Sequence, residues 1–280
     1  MDERQRNRTA MPDALSDSAA DTDDRGQRAI QSVEVGGRLL LALADSPGDL
    51  ALKELAARAG LTPSRAHPYL VSYGRLGLVE QDPNTGRYAL GPAALRIGLA
   101  CLHQLDPLRA AEPVLRELAA STGHAVALAV WGNFGPTVVR LIEARHPLHV
   151  ALRVGSVMSL LETATGRAFA AALPRERLAD AGVGLHGDQA SGWLADHAEE
   201  LDRIADEWRR HGVTRAAGRP IPGVNAFSAP AFDHEGTAAL VITVLDHQDR
   251  LASTWTGPAA QAVRQAAAAI THRLGGLPPG

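Results

Sequence analysis

Residues 52–75 read Leu52-Lys-Glu-Leu-Ala-Ala-Arg-Ala-Gly-Leu-Thr-Pro-Ser-Arg-Ala-His-Pro-Tyr-Leu-Val-Ser-Tyr-Gly-Arg75, and this stretch decides the N-terminal architecture. Leu52, Leu55, Ala56 and Ala59 recur at i, i+3, i+4 and i+7, the apolar stripe of an amphipathic helix, and Gly60 supplies its C-terminal stop. Thr62 then offers an N-cap, and Pro63 falls at the first helical position, where a missing N–H costs nothing. Ala66, Tyr69, Leu70 and Tyr73 give this second helix its buried stripe. Two helices joined only by Gly60-Leu61-Thr62 must cross steeply, which predicts a helix-turn-helix. Upstream, Val33, Leu39, Leu40 and Leu43 mark a preceding helix that stops at Asp45-Ser46-Pro47-Gly48; Gly36-Gly37 weakens it by about 1 kcal/mol per glycine relative to alanine. Downstream, residues 78–81 and 87–90 flank Asp82-Pro83-Asn84-Thr85-Gly86, the pattern of a β-hairpin with a glycine-bearing turn. Residues 28–91 are therefore expected to form a winged helix-turn-helix.

The segment 61–75 contains no acidic residue, although Glu54 and Glu80 lie to either side. A helix of that charge tolerates a phosphate backbone. Thr62, Pro63, Ser64, Arg65 and His67 fall in its first turns, where a recognition helix presents side chains to base edges, and Arg65 suits a bidentate contact to guanine. Ser72 extends that candidate face, while Thr85 and Arg87 in the wing are candidates for phosphate or minor-groove contacts. Pro68 falls after the first helical turn, deprives the Ser64 carbonyl of its i+4 donor and predicts a kink. The formal charge of the whole chain is −3, so attraction to DNA must come from such a local patch.

Residues 1–27 hold acidic, serine and alanine residues with almost no large apolar side chain, which predicts a disordered leader. Gly91-Pro92 punctuates the chain before a connecting helix, placed over 92–107 with its apolar pattern at 93–105. A helix through Val114, Leu115 and Leu118 follows. Strand-like segments are expected at 124–131, 137–143, 148–154, 225–232 and 237–245, with helices over 163–173, 195–211 and from Gly257-Pro258 to about 274. Strands in runs followed by helices predict an α+β domain over 108–275 with a mainly antiparallel sheet. At 280 residues and 45% apolar composition the chain can bury such cores without disulfides or metals. A single cysteine, Cys101, argues against CxxC redox chemistry and cysteine-based zinc sites. No secretory signal or membrane-spanning run is evident, so a cytoplasmic protein is expected.

Gln31-Ser-Val-Glu, Leu52-x-x-Leu-Ala-x-x-Ala-Gly-Leu and Leu76-Gly-Leu-Val-Glu-x-Asp-x-x-Thr-Gly-Arg-Tyr-x-Leu-Gly91 resemble the IclR-type (isocitrate lyase regulator) bacterial transcription factors. The likeness continues through Gly155, Leu160-Leu-Glu-Thr-Ala-Thr-Gly-Arg-Ala, Pro222-Gly-Val and Ser228-Ala-Pro-Ala-Phe-Asp233. It implies a winged helix for double-stranded operator DNA, a linker helix and a GAF-like effector-binding domain, assembled as homodimers or dimers of dimers. Pro68, Gly36-Gly37 and a segment 215–221 without acidic residues depart from the family pattern. The resemblance also implies an effector pocket between the 155–166 loop and strands containing 225–228 and 241–245. Met158, Leu160 and Phe227 would wall it, with Ala164 and Gly166 in its loop; Thr163, Asn225, Ser228 and Thr243 would supply polar contacts. Arg215 and Arg219 at its edge suit an organic acid, gripped by a guanidinium fork.

Other motifs carry less. Gly182-Val-Gly-Leu-His-Gly187 matches GxGxxG, but charged, helix-patterned residues precede it instead of a buried strand. His146-Pro-Leu-His149, with Glu143 upstream, reads as a turn more readily than a metal site. No GxSxG elbow or distinctive nucleophile is present, and neither a cofactor nor catalysis is expected. The rival readings are a small-molecule hydrolase or oxidoreductase with an accessory N-terminal domain, and a winged helix that contacts protein.

Overall fold

The computed structural model describes residues 30–179 and 190–277; the expected leader 1–27 and the Gly182–Gly187 motif lie outside them. The chain divides into two compact units between Cys101 and Leu102. In the first, α1 (Gln31–Ala44), α2 (Leu52–Arg58) and α3 (Pro63–Leu76) are followed by the hairpin β1 (Val79–Gln81) and β2 (Tyr88–Leu90). Its core gathers Leu39, Leu43, Leu50, Leu55, Ala56, Ala66, Leu70, Val79 and Tyr88. The amphipathic stripes of three short helices thus meet in one cluster, which stabilises helices too short to stand alone. Leu50 and Tyr88 exchange backbone hydrogen bonds at 3.0 and 2.8 Å, adding a rung beside the hairpin that the local pattern does not disclose.

Gly36-Gly37 does not break α1. A Cβ on Gly36 would lie 2.0 Å from the Tyr73 hydroxyl and 3.1 Å from Tyr69 Cδ1, whereas one on Gly37 would meet nothing within 4 Å. Gly36 is the point where α3 can approach α1 closely, so its lost helix propensity is offset by packing. The two tyrosines are half-buried, and burial, aided by Tyr69, pushes the Tyr73 phenol above its ordinary value. Pro68 is likewise tolerated, since α3 runs unbroken from Pro63 to Leu76. The left-handed residue Gly77 ends that helix, its N–H reaching the Gly74 carbonyl.

Helix α4 (Pro92–Gln104) buries none of its residues. The second unit begins with its last residues and α5 (Pro107–Thr122), where the Asp106 carboxylate caps the Leu108 and Arg109 N–H groups at 2.9 and 3.3 Å. Strands β3 (Ala125–Gly132), β4 (Gly135–Ile142), β5 (Thr214–Ala217), β6 (Val224–Phe232) and β7 (Ala238–His247) form an antiparallel sheet in the order β4-β3-β7-β6-β5. Between β4 and β5 come α6 (Ala164–Ala172), α7 (Ala190–Asp196) and α8 (Ala198–His211); α9 (Pro258–Arg273) follows the sheet.

Alternation along the strands sends Val126, Leu128, Phe227, Ala229, Ile242 and Val244 to one face, under α5 and α9. On the other face Ala129 and Val241 join Phe169 of α6 and Leu201 and Ile204 of α8. The rest of that face, with Ala125, Ala127, Val138 and Leu245 buried and Ala226 half-buried, is met by Leu148, Val150, Leu152 and Met158 rather than by a helix. Three expectations are corrected here. Residues 148–154 form no strand, because their alternating apolar side chains cover the sheet without joining its ladder. The 195–211 helix is two helices, which meet around His197. Strand β5 is additional; its four residues hold Thr214 and Ala216 buried against β6 and α6, too short a run for alternation to show.

Candidate functional site

In the N-terminal unit, Ala66 and Leu70 face the core while Thr62, Pro63, Ser64, Arg65, His67, Pro68 and Ser72 are exposed. The helix-turn-helix therefore holds the leading residues of α3 outward, as a groove-entering helix requires. Thr62 occupies the N-cap position without capping: its hydroxyl lies 3.2 Å from that of Ser64 and makes no bond to the first-turn N–H groups. Ser72 turns its hydroxyl back to the Pro68 carbonyl at 3.0 Å. The Arg65 backbone N–H donates to the Thr62 carbonyl at 3.0 Å, while its guanidinium makes no salt bridge or hydrogen bond among the described residues.

The wing is tied internally. Asp82 accepts from the Asn84 N–H and the Thr85 hydroxyl, each at 2.8 Å, and those bonds hold its carboxyl below the usual range. Arg87 donates its Nε to the Asp49 carbonyl at 2.9 Å and lies 3.5 Å from Glu54. Arg87 thus anchors the wing beside α2, and a phosphate would have to compete with a carboxylate for it.

In the second unit, a cavity of about 60 Å³ lies between the sheet, the N-terminus of α6 and the turn 219–221. Met158, Thr163, Ala164, Arg219 and Thr243, five of the residues singled out from sequence, line it; Ala127, Val138, Leu152, Thr165, Ile221 and Leu245 complete most of the wall. Its walls are mainly apolar and its floor carries hydroxyls. Thr165 and Thr243 share a hydrogen bond at 2.8 Å, and Thr243 shares another with Ser228 at 2.7 Å. Thr163 caps α6 by accepting from the Gly166 N–H at 2.9 Å, while its hydroxyl donates to Ser159. Arg219 is the one charged residue among those that line the cavity, and it makes no salt bridge among the described residues.

The other sequence candidates sit elsewhere. Phe227 is fully buried on the opposite face of the sheet, because odd-numbered residues of β6 point under α5 and α9. Asn225 shares that parity and is spent structurally: its amide donates to Leu251 at 2.7 Å and its carbonyl accepts from Gly218 N–H at 3.1 Å. Arg215 lies over the Trp255 ring at 4.1 Å and donates to the Ser253 carbonyl, so it does not border the cavity. Leu160 belongs to the cluster under α6 and α8. Gly166 is needed for closeness: a Cβ there would stand 2.1 Å from the Ser159 carbonyl oxygen, so the loop backbone can cross the helix. Ser228 lies one hydrogen bond behind the lining.

A wider depression of about 270 Å³ is lined by Glu143, His146, Pro147, His149 and apolar neighbours. Among the described residues, no three metal-ligating side chains converge. What sequence reasoning missed at the cavity is the contribution of Ala127, Val138 and Leu152, which only strand pairing and the 148–158 crossing bring together.

Comparison with known proteins matches residues 32–83 to the IclR helix-turn-helix domain and residues 99–272 to the bacterial transcriptional regulator IclR C-terminal domain. The chain is 32% identical over 254 residues to the glycerol operon regulatory protein of Streptomyces griseus, covering 89% of this chain and 98% of that protein. It is 25% identical over 252 residues to the transcriptional repressor IclR of Escherichia coli strain K12, covering 89% and 91%. The crystal structure of Pseudomonas aeruginosa HmgR superimposes with a TM-score of 0.78 at 36% identity, covering 88% of this chain and 99% of that one. With an outward recognition helix, a wing and a second domain matched over most of its length, the chain belongs to the IclR family of bacterial transcriptional regulators, a family of DNA-binding proteins and not of enzymes.

Proposed function

We propose that this regulator controls a catabolic operon and that a small organic acid, bound in the cavity beside Thr163 and Arg219, sets its affinity for operator DNA. The cavity carries the reading: apolar walls, hydroxyls on the floor and one guanidinium at the rim are what a compact carboxylate with an apolar body needs. The 219–221 turn and Leu152 and Met158 of the 148–158 segment line the cavity, so a ligand that shifts either of them on entry couples binding to local structure. Operon regulation is supported by the relatives, a glycerol operon regulatory protein and a transcriptional repressor.

The working form is a homodimer or a dimer of dimers. Leu95, Leu99 and Leu102 repeat at i, i+4 and i+7 on α4 and are 64%, 46% and 39% exposed, a stripe that a second copy of the helix would cover. Two recognition helices would then occupy major grooves about one helical turn apart. A coupling of about 1–3 kcal/mol between the effector and DNA sites makes a useful switch.

The test is a mobility-shift titration of the full chain against its own upstream intergenic DNA, at two salt concentrations, with and without small carboxylic acids. Specific, salt-sensitive binding that one acid class shifts several-fold is expected. Binding that responds to no carboxylate, but does respond to a neutral or cationic metabolite, refutes the effector assignment.

A further inference from the structure

The face of α3 opposite its buried residues is not polar at its centre. Ala66 and Leu70 are buried and Tyr69 and Tyr73 half-buried; at 3.6 residues per turn, the column most opposed to them is Ser64, Pro68, Val71 and Arg75. Val71 is 42% exposed and Pro68 is exposed beside it. Their flanking hydroxyls are already occupied, Ser64 facing Thr62 and Ser72 bonding the Pro68 carbonyl. Arg65 and Arg75 lie toward the two ends of this face, and neither makes a salt bridge among the described residues. An apolar pair between guanidinium groups, on a helix with no acidic residue from Leu61 to Val79, fits one chemistry in the major groove. Guanidinium groups read guanine edges, and a saturated surface reads the thymine 5-methyl group.

We propose that Pro68 and Val71 form the centre of the base-reading surface and take the 5-methyl group of a thymine in each operator half-site. The inference rests on the DNA-binding reading of α3. It gives Pro68 a use: the pyrrolidine ring widens the apolar surface and cannot turn away, and its missing N–H leaves the Ser64 carbonyl as an acceptor at the same face. The proline that looks costly within the helix becomes part of what the helix recognises.

The experiment selects duplexes from a random library with the full-length protein. Each thymine of the enriched site is then replaced by deoxyuridine, which removes only the methyl group. One thymine per half-site is expected to respond, with affinity falling about fourfold per site, the worth of one buried methyl. In Val71→Ala that response should shrink to within twofold. Arg65→Ala should bind more weakly overall and keep the uridine response, since it removes a separate contact. Enriched duplexes with no uridine-sensitive thymine, or sensitivity that survives undiminished in Val71→Ala, overturn this proposal and leave DNA binding by α3 intact. Failure to enrich any duplex overturns both.

Discussion

Arg219 and Asp246 are both charged, and their surroundings give them different work. Arg219 is exposed, lines a cavity and makes no ion pair among the described residues; Arg219→Ala is expected to weaken binding of a carboxylate effector at least tenfold in calorimetry, with unchanged thermal unfolding of the unliganded protein. Equal affinity in the variant refutes the role. Asp246 is only 1% exposed and receives Arg250 through Nε and Nη2 at 3.0 and 2.8 Å and His124 at 2.8 Å. Burial alone would raise its pKa, but the bonds from Arg250, His124 and the His247 N–H outweigh it and hold the carboxyl below its ordinary 3.8. A carboxyl with a depressed folded-state value stabilises fully above 3.8 and loses that contribution as pH falls through the lower value. Asp246→Asn should therefore cost about 1–3 kcal/mol near neutrality. The deficit, followed by urea unfolding, should narrow as the pH is taken below the ordinary carboxylate range. A deficit that does not change with pH refutes the charge assignment.

Among the elements, α1 offers a paired test of propensity against packing. Gly37→Ala, with nothing within 4 Å of the new methyl, should raise stability by about 0.5–1 kcal/mol. Gly36→Ala gains the same propensity but drives a methyl into Tyr73, and should fall below the wild type by about 1–3 kcal/mol. If the two variants melt together, α1 does not approach α3 through Gly36. The elements of the N-terminal unit were legible because each carries its own punctuation: Gly60 stops α2, Pro63 starts α3, and Gly86 turns the hairpin. Residues 148–154 misled because alternation reports that every second side chain is buried, and a chain crossing a sheet without pairing satisfies that as well as a strand does. Strand β5 passed unseen for the converse reason, since four residues give alternation too little length.

At the scale of the whole molecule, α4 is a helix that buries none of its residues among the described ones. Its leucine stripe predicts that Leu95→Asp combined with Leu99→Asp lowers the sedimenting mass to that of one chain and weakens operator binding by about 10²-fold or more through lost bivalency. An undiminished assembly in the double variant refutes the proposed dimer contact. The described residues include no helix long and apolar enough to cross a membrane.

By itself the sequence determined the order and kind of most elements, the outward face of α3 and the family, because periodicity, capping residues and turn residues act over a few neighbours. Tertiary structure decided which face of the sheet each strand residue joins. Phe227 and Asn225 were drawn to the cavity by their place in the chain, yet strand pairing puts them on the far side of the sheet from Ala226 and Ser228. Arg219 reaches the cavity and Arg215 the Trp255 ring, though four positions apart. A side chain's direction in a sheet reverses with every residue, so a site assembled from several strands is fixed only when their mutual register is fixed.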